Sequence, residues 1–290
     1  MVISKNITYK ISVATLLALT LIGCGSSNPQ SGNDSGNNLQ TESTTAQIGQ
    51  NGDTSISGIG NGNSAYTKTT SSQLSTLQTR APAKDVTSSD NALFIAEGDK
   101  GVEVVQIGYN DRVDHKLITT ISGINATQIS LSDDQKELYV INKQGSINVY
   151  DISDIQAPRR TKLLAAGSIQ VNPVSTEGNY EFVPKKQAGL RVYDISNPSH
   201  KDLIATFHEV PVYALVLVDQ ASKALAATGN NGLALLDVAN PTHIAKTAEF
   251  PIDGKTLGVS VNKKTGQLFV ANGDKGIKVF NLNALLDELH

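Results

Sequence analysis

Asp85, Gln128, Gln170, Tyr213 and Gly258 recur at one place in the chain's internal pattern, separated by 43, 42, 43 and 45 positions. One carboxylate, two amides and a phenol converging on a point would hold a polar ligand. They make a poor catalytic set, because glycoside hydrolysis generally needs two carboxyl groups about 5 to 9.5 Å apart. Glu209, beside His208, is the plausible second acid. Whether this level faces a central channel or a neighbouring sheet turns on a one-residue register. His115, His200 and His243 invite a zinc reading, but they fall near the starts of edge strands in separate units. Zinc needs its ligands within about 2.1 Å, so these histidines read as solvated edge residues. Glu97-Gly-Asp99-Lys100-Gly and Asn272-Gly-Asp274-Lys275-Gly resemble calcium loops, yet each offers few oxygens and carries an opposing lysine. No Gly-x-Ser-x-Gly elbow is present. A single cysteine, Cys24, excludes a disulfide framework and a cysteine-based zinc site. The expectation is no metal and no cofactor beyond a covalent lipid.

These residues are spaced by a repeat, and the repeat dictates the architecture. Five segments align, among them Leu93-Phe-Ile-Ala-Glu-Gly-Asp-Lys-Gly-Val102 and Leu268-Phe-Val-Ala-Asn-Gly-Asp-Lys-Gly-Ile277. Their closing apolar positions, Val102, Ile147, Leu190, Leu233 and Ile277, lie 45, 43, 43 and 44 apart. Each unit reads as four short strands, since strict alternation between Gly, Asn and Pro punctuation is a strand pattern. Four-stranded units of about 44 residues are the blades of a β-propeller. The expected fold is therefore all-β, with five antiparallel blades spanning residues 73–290.

The last unit lacks a fourth strand after Leu282, whereas Gln73-Leu-Ser-Thr-Leu-Gln-Thr79 precedes the first unit. The spacing predicts that residues 73–79 complete the fifth blade and leave only short outer edges. Gly101, Gly145, Gly189, Gly232 and Gly276 end the second turn of each unit, where positive φ is often needed. Asp151, Asp194 and Asp237 recur at the end of the third strand, where a carboxylate can accept backbone N–H bonds. The tail, Asn283-Ala-Leu-Leu-Asp-Glu-Leu-His290, reads as a short helix with Asn283 as its N-cap candidate and Leu285, Leu286 and Leu289 on one stripe.

The Leu-Tyr-Val-Ala…Gly-Leu-x-Val-Tyr-Asp-Ile-Ser-Asn-Pro pattern, as in Gly189-Leu-Arg-Val-Tyr-Asp-Ile-Ser-Asn-Pro198, is similar to the LVIVD repeats of bacterial and archaeal surface proteins. The resemblance covers residues 73–290 and implies a surface propeller without an agreed activity. Gln106 at the Asp position and Pro184 in the third unit depart from the pattern.

The N-terminus supplies an address. Lys5 and Lys10 precede an apolar run from Ile11 to Ile22, too short to span a bilayer as a helix but laid out like a secretory leader. Leu21-Ile22-Gly23-Cys24 resembles the lipobox of bacterial lipoproteins. That resemblance implies cleavage before Cys24 and its lipidation, with Gly25 pointing to the outer membrane of a diderm or the outer face of a monoderm's plasma membrane. In residues 25–72, 32 of 48 positions are Ser, Gly, Asn or Thr. Such a composition predicts a disordered tether with a span of roughly 40 Å.

A formal net charge of −3 without a basic stripe argues against a nucleic-acid partner. The expected function is a membrane-anchored, non-enzymatic binding platform for another envelope protein or a surface glycan. Its binding face would carry Asp99, Lys100, Lys143, Lys185, Lys186, Asn230, Asp274 and Lys275, on turns that a rigid scaffold presents. The alternative is a glycan-directed envelope hydrolase or lyase using Asp85, Tyr213, His208 and Glu209 at a channel mouth. A structural subunit of an envelope complex is the third reading.

Overall fold

The computed structural model describes residues 72–107, 116–166, 175–197 and 199–289. The leader, Cys24, the tether up to residue 71, His115 and Gln170 lie outside them. The first strand, β1 (Gln73–Leu77), stands apart from the four that follow it. Blade 1 holds β2 (Asp85–Ser88), β3 (Ala92–Ala96), β4 (Val102–Gln106) and β5 (Lys116–Ile121). Blade 2 holds β6 (Ala126–Leu131), β7 (Glu137–Asn142), β8 (Ile147–Asp151) and β9 (Arg159–Leu164). Blade 3 holds β10 (Ser175–Glu177), β11 (Tyr180–Pro184), β12 (Leu190–Asp194) and β13 (Asp202–Phe207). Blade 4 holds β14 (Ala214–Val218), β15 (Lys223–Ala227), β16 (Leu233–Asp237) and β17 (Ala245–Phe250). Blade 5 has β18 (Gly258–Asn262), β19 (Gln267–Ala271) and β20 (Ile277–Asn281), and its order, β1-β20-β19-β18, makes β1 its fourth strand.

The closure is therefore the predicted one. β1 runs antiparallel to β20, with Leu77 opposite Ile277 and Ser75 opposite Val279. A finer mark supports the equivalence. In each blade the pairing between third and fourth strands slips once, at Leu74, Ile118, Thr161, Ile204 and Thr247. β1 thus carries the same bulge as the four fourth strands inside the repeats, a local kink that increases twist. The ring begins one residue before the expected boundary. Ser72 is buried, its carbonyl accepts from Asn281 N–H at 2.8 Å, and its N–H and hydroxyl both donate to Glu288.

Second strand β3 is a continuous apolar run, and so is β19 after Gln267, because each blade is covered by neighbours on both faces. Phe94, Phe269 and Phe280 are fully buried, each contributing about 1.5–3 kcal/mol on burial. Apolar clusters join blades 1 and 2, 3 and 4, 4 and 5, and 5 and 1. Blade 3 departs from this scheme. It places buried Glu181 at the register that Leu93, Leu138, Ala224 and Leu268 fill elsewhere. Lys201 Nζ neutralises it, donating to both carboxylate oxygens at 2.8 and 2.7 Å.

The turn residues behave as their chemistry requires. Gly101 has φ +86°, and a Cβ there would collide with the Ile121 carbonyl. Asp151, Asp194 and Asp237 each accept from the N–H two residues on, at 2.9, 2.8 and 3.0 Å. Blade 5 has Asn281 at this register, and there the expectation for the tail needs correcting. Helix α1 (Leu282–Glu288) is capped by Asn281, whose Oδ1 accepts from Ala284 N–H, and not by Asn283, which lies inside it. One side chain both ends β20 and starts the helix. Leu285 is fully buried, and Leu286 and Leu289 pack on the cluster between blades 4 and 5.

Strand direction sorts the loops onto two faces. The turns between second and third strands, and the segments entering each next blade, share one end, which we term the turn face. Backbone bridges fasten the two sets together: Gly98 to Ala126, Lys186 to Val212, Gly229 to Thr256 and Gly273 to Ala83. Ser72, α1 and the Asp-stopped turns share the opposite end.

Candidate functional site

Asp85 opens the innermost strand of blade 1. Its Oδ1 accepts from Val86 N–H at 2.9 Å and its Oδ2 from Ile129 N–H at 3.0 Å, on the innermost strand of blade 2. On the blade 5 side lies Gly258, where a Cβ would stand 2.5 Å from Oδ1. The carboxyl therefore joins three innermost strands. At 5% exposure, burial pushes its pKa up to about 7, although the two amide bonds favour the charged form. The predicted level is only partly correct. Asp85, Gln128 and Gly258 do share a register, but Ala214, not Tyr213, holds it in blade 4. Gln128 is half-buried in β6.

Tyr213 belongs to the turn face. Its hydroxyl accepts from Gln187 Nε2 at 2.8 Å, its ring lies against Gly229, and Lys255 Nζ stands 5.8 Å from the ring centroid. Tyr213, Gln187 and Lys255 line a hollow of about 220 Å³ with Pro211, Thr228, Asn230 and Asn231. The donors facing it are amides, a phenol and an ammonium, which suit an anionic or hydroxyl-rich ligand. His208 is exposed, with Nδ1 3.0 Å from the Ala188 carbonyl, and Glu209 is exposed beside it. Both lie in the loop from blade 3 to blade 4, whereas Asp85 is enclosed between blades 5, 1 and 2.

The eight residues expected on the binding face all lie on second-to-third-strand turns of that face. Asp99 accepts from Asn125 Nδ2, and Lys275 pairs with Asp253 at 3.2 Å. Lys186 adopts φ +52° while its backbone bridges Val212. His200 pairs with Asp202 at 2.9 Å, and His243 occupies another blade's turn. In the two loops compared with calcium sites, Glu97 is engaged by Arg80, and Asn272 donates to the Asp253 carbonyl at 2.7 Å.

Sequence reasoning missed a charge cluster that sets the exposed Arg80, on the segment linking β1 to β2, against the buried Glu97 and Glu103. Arg80 Nη2 bonds Glu97 Oε2 at 2.7 Å, and its Nε contacts Glu103 Oε1. Glu97 Oε1 also accepts from Arg80 N–H at 2.8 Å. Burial works against the Arg80 charge, but the two glutamates outweigh it and hold its pKa above the usual value. Burial, then the Glu97 charge, push Glu103 up against the pull of Arg80. The cluster fastens the β1–β2 segment to blade 1. Gln187 and Lys255 were missed as well. The only signal for them was their place in a turn and an entering loop that the repeat brings together.

A family model for the LVIVD repeat matches residues 170–208 and 224–248, within blades 3 and 4 and the segment entering blade 3. A search of curated proteins finds no match. Among solved structures, the crystal structure of RRP9 WD40 repeats is 8% identical, covering 70% of this chain and 95% of that one, with a TM-score of 0.53. The structure of U3-55K is also 8% identical, covering 70% and 96%, with a TM-score of 0.50. Identity this low speaks to fold alone. The chain carries LVIVD repeats and folds as a five-bladed β-propeller.

Proposed function

We propose that the protein is a lipid-anchored, non-enzymatic interaction platform whose turn face receives the partner. One observation carries this reading: the chain enters the ring at Ser72 on the face opposite the turns. A tether from Cys24 would then hold the turn face away from its membrane. The lipobox resemblance and the Ser/Gly-rich segment support the anchor, and rigid turns fastened blade to blade support recognition. A hydrolase reading would need Asp85, but its two oxygens already accept backbone amides and it is almost fully enclosed.

The test has two arms in intact cells. Cys24→Ala should move the protein from the membrane fraction to the soluble fraction. A photo-crosslinking residue at Asn230 should capture a partner that the same group at Asp219, on the opposite face, does not. Retention of Cys24→Ala in the membrane would overturn the anchor. Equal capture from both faces would overturn the platform. Turnover of glycan or peptide substrates that vanishes with Asp85→Asn or Glu209→Gln would replace it with the hydrolase.

A further inference from the structure

The two faces of the ring differ in charge. Lys84, Lys100, Lys143, Lys185, Lys186 and Lys255 all lie on the turn face, and none makes an ion pair among the described residues. Five are exposed and Lys185 is half-buried. Of the exposed acids on that face, Asp253 is paired with Lys275, which leaves Asp99, Glu209 and Asp274 against the six lysines. The opposite face carries Asp90, Asp133, Asp134, Asp154, Asp219 and Asp237, all exposed, which outnumber the exposed Lys136, Lys263 and Lys264 there. A chain of formal charge −3 thus presents a positive end and a negative end. Charge sorted in this way steers and selects partners.

The chemistry of the turn face narrows the partner further. Protein interfaces draw their energy from apolar and aromatic anchors and are depleted in lysine. Among the described residues the exposed large apolar side chains are Leu117, Leu163 and Leu203, and all three lie on outer strands. Nucleic acids favour arginine forks and open aromatic faces. Arg80 is committed to Glu97 and Glu103, and Tyr213 is flanked by Gly229 and Lys255. What remains is a face of separate ammonium groups, with Lys255 lining the hollow beside Gln187, Asn230 and Asn231. Point charges with neutral amide donors between them match a chain of hydroxyl-rich units carrying an anionic group at intervals.

We propose that the turn face binds an anionic polysaccharide bearing carboxylate or sulfate groups, draped across the hollow beside Lys185, Lys186 and Lys255. This rests on the platform reading and names its partner class. The full chain, purified in detergent, is passed over immobilised polygalacturonate, heparin, neutral dextran, and single- and double-stranded DNA. The expected result is retention on one or both anionic glycans, none on dextran, and elution by rising salt. Polygalacturonate and heparin separate the carboxylate source from the sulfate source. Replacing Lys185, Lys186 and Lys255 together by Glu should weaken retention about tenfold or more. Lys136→Glu with Lys263→Glu, on the opposite face, should change it less than about twofold, because salt screens charges lying beyond a Debye length from the bound chain. The triple Lys→Gln variant, checked by its melting curve, guards against a folding artefact.

Equal losses from both faces, retention on neither glycan, or stronger retention on DNA would each overturn the proposal. If glycans fail while the crosslinker at Asn230 captures a protein partner, the platform stands and the polysaccharide falls. If both are silent, both fall.

Discussion

Replacing Asp85 with Asn should flatten the pH dependence of the ring's stability. The Asp85 carboxyl has a pKa of about 7 in the fold against 3.8 in its ordinary state. Between those values the folded chain holds a proton that the unfolded chain has released, so stability falls as pH rises. Each pH unit in the middle of the window costs about 1.4 kcal/mol and half that at the folded pKa, which is about 2 kcal/mol from pH 5 to pH 7. For a ring of this size that corresponds to a loss of roughly 4–8 °C in melting temperature. Glu103, whose pKa burial also raises, adds a slope of the same sign, so the informative quantity is wild type minus variant. Asp134, Asp151 and Asp194 have pKa values below 3.8, and their stabilising contributions, lost only as pH falls further, lie outside the window. Asn keeps one acceptor for the Val86 and Ile129 amides but turns an N–H donor toward the other, a cost of about 1–3 kcal/mol. The variant should therefore melt below wild type at pH 5 and close the gap, or pass it, by pH 8. Thermal melts of both proteins by circular dichroism at pH 5, 6, 7 and 8 provide the assay. Parallel slopes would refute the reasoning, because they would mean that Asp85 is not the desolvated group.

Three further outcomes follow from the packing. Arg80→Met strands Glu97 and Glu103, which are 1% and 6% exposed, without their cation. Arg80 itself is 42% exposed, so water screens the pairs and the loss is about 1–3 kcal/mol; melting should drop by about 5 °C at pH 8, and by less at lower pH, because burial favours the neutral form of Glu103. Deleting residues 73–79 removes the strand paired with β20 and should lower the melting temperature sharply; an unchanged melting curve would contradict the closure. Leu285→Ala empties a fully buried site between α1 and blades 4 and 5, at a cost of about 2–5 kcal/mol by urea titration.

Much of the fold was legible because the repeat states each element five times. Gly101 and its counterparts mark the turns, Asp151, Asp194 and Asp237 mark the strand ends, and the missing fourth strand points to residues 73–79. The site was less legible, for physical reasons. Alignment by polarity fixes on Tyr213, since the true position, Ala214, opens an all-apolar run with no polar mark of its own. Asn283 reads as the cap because Asn281 already has a role in ending the third strand, and the chain uses it for both. Glu103 alternates within β4 like any outward-facing residue, and nothing local reveals that Arg80 buries it. Glu181 reads as a surface charge until the register places it at a blade face filled elsewhere by apolar side chains.

The way β1 joins the ring has a mechanical consequence. Its hydrogen bonds to β20 run perpendicular to the strand, and β1 starts at Gln73 on the face away from the turns. A pull between a captured partner and the N-terminal segment would slide β1 lengthwise, straining its bonds together instead of peeling them one by one. The weakest-looking joint in the molecule, a five-residue strand without covalent closure, is thus oriented in its strongest direction of load.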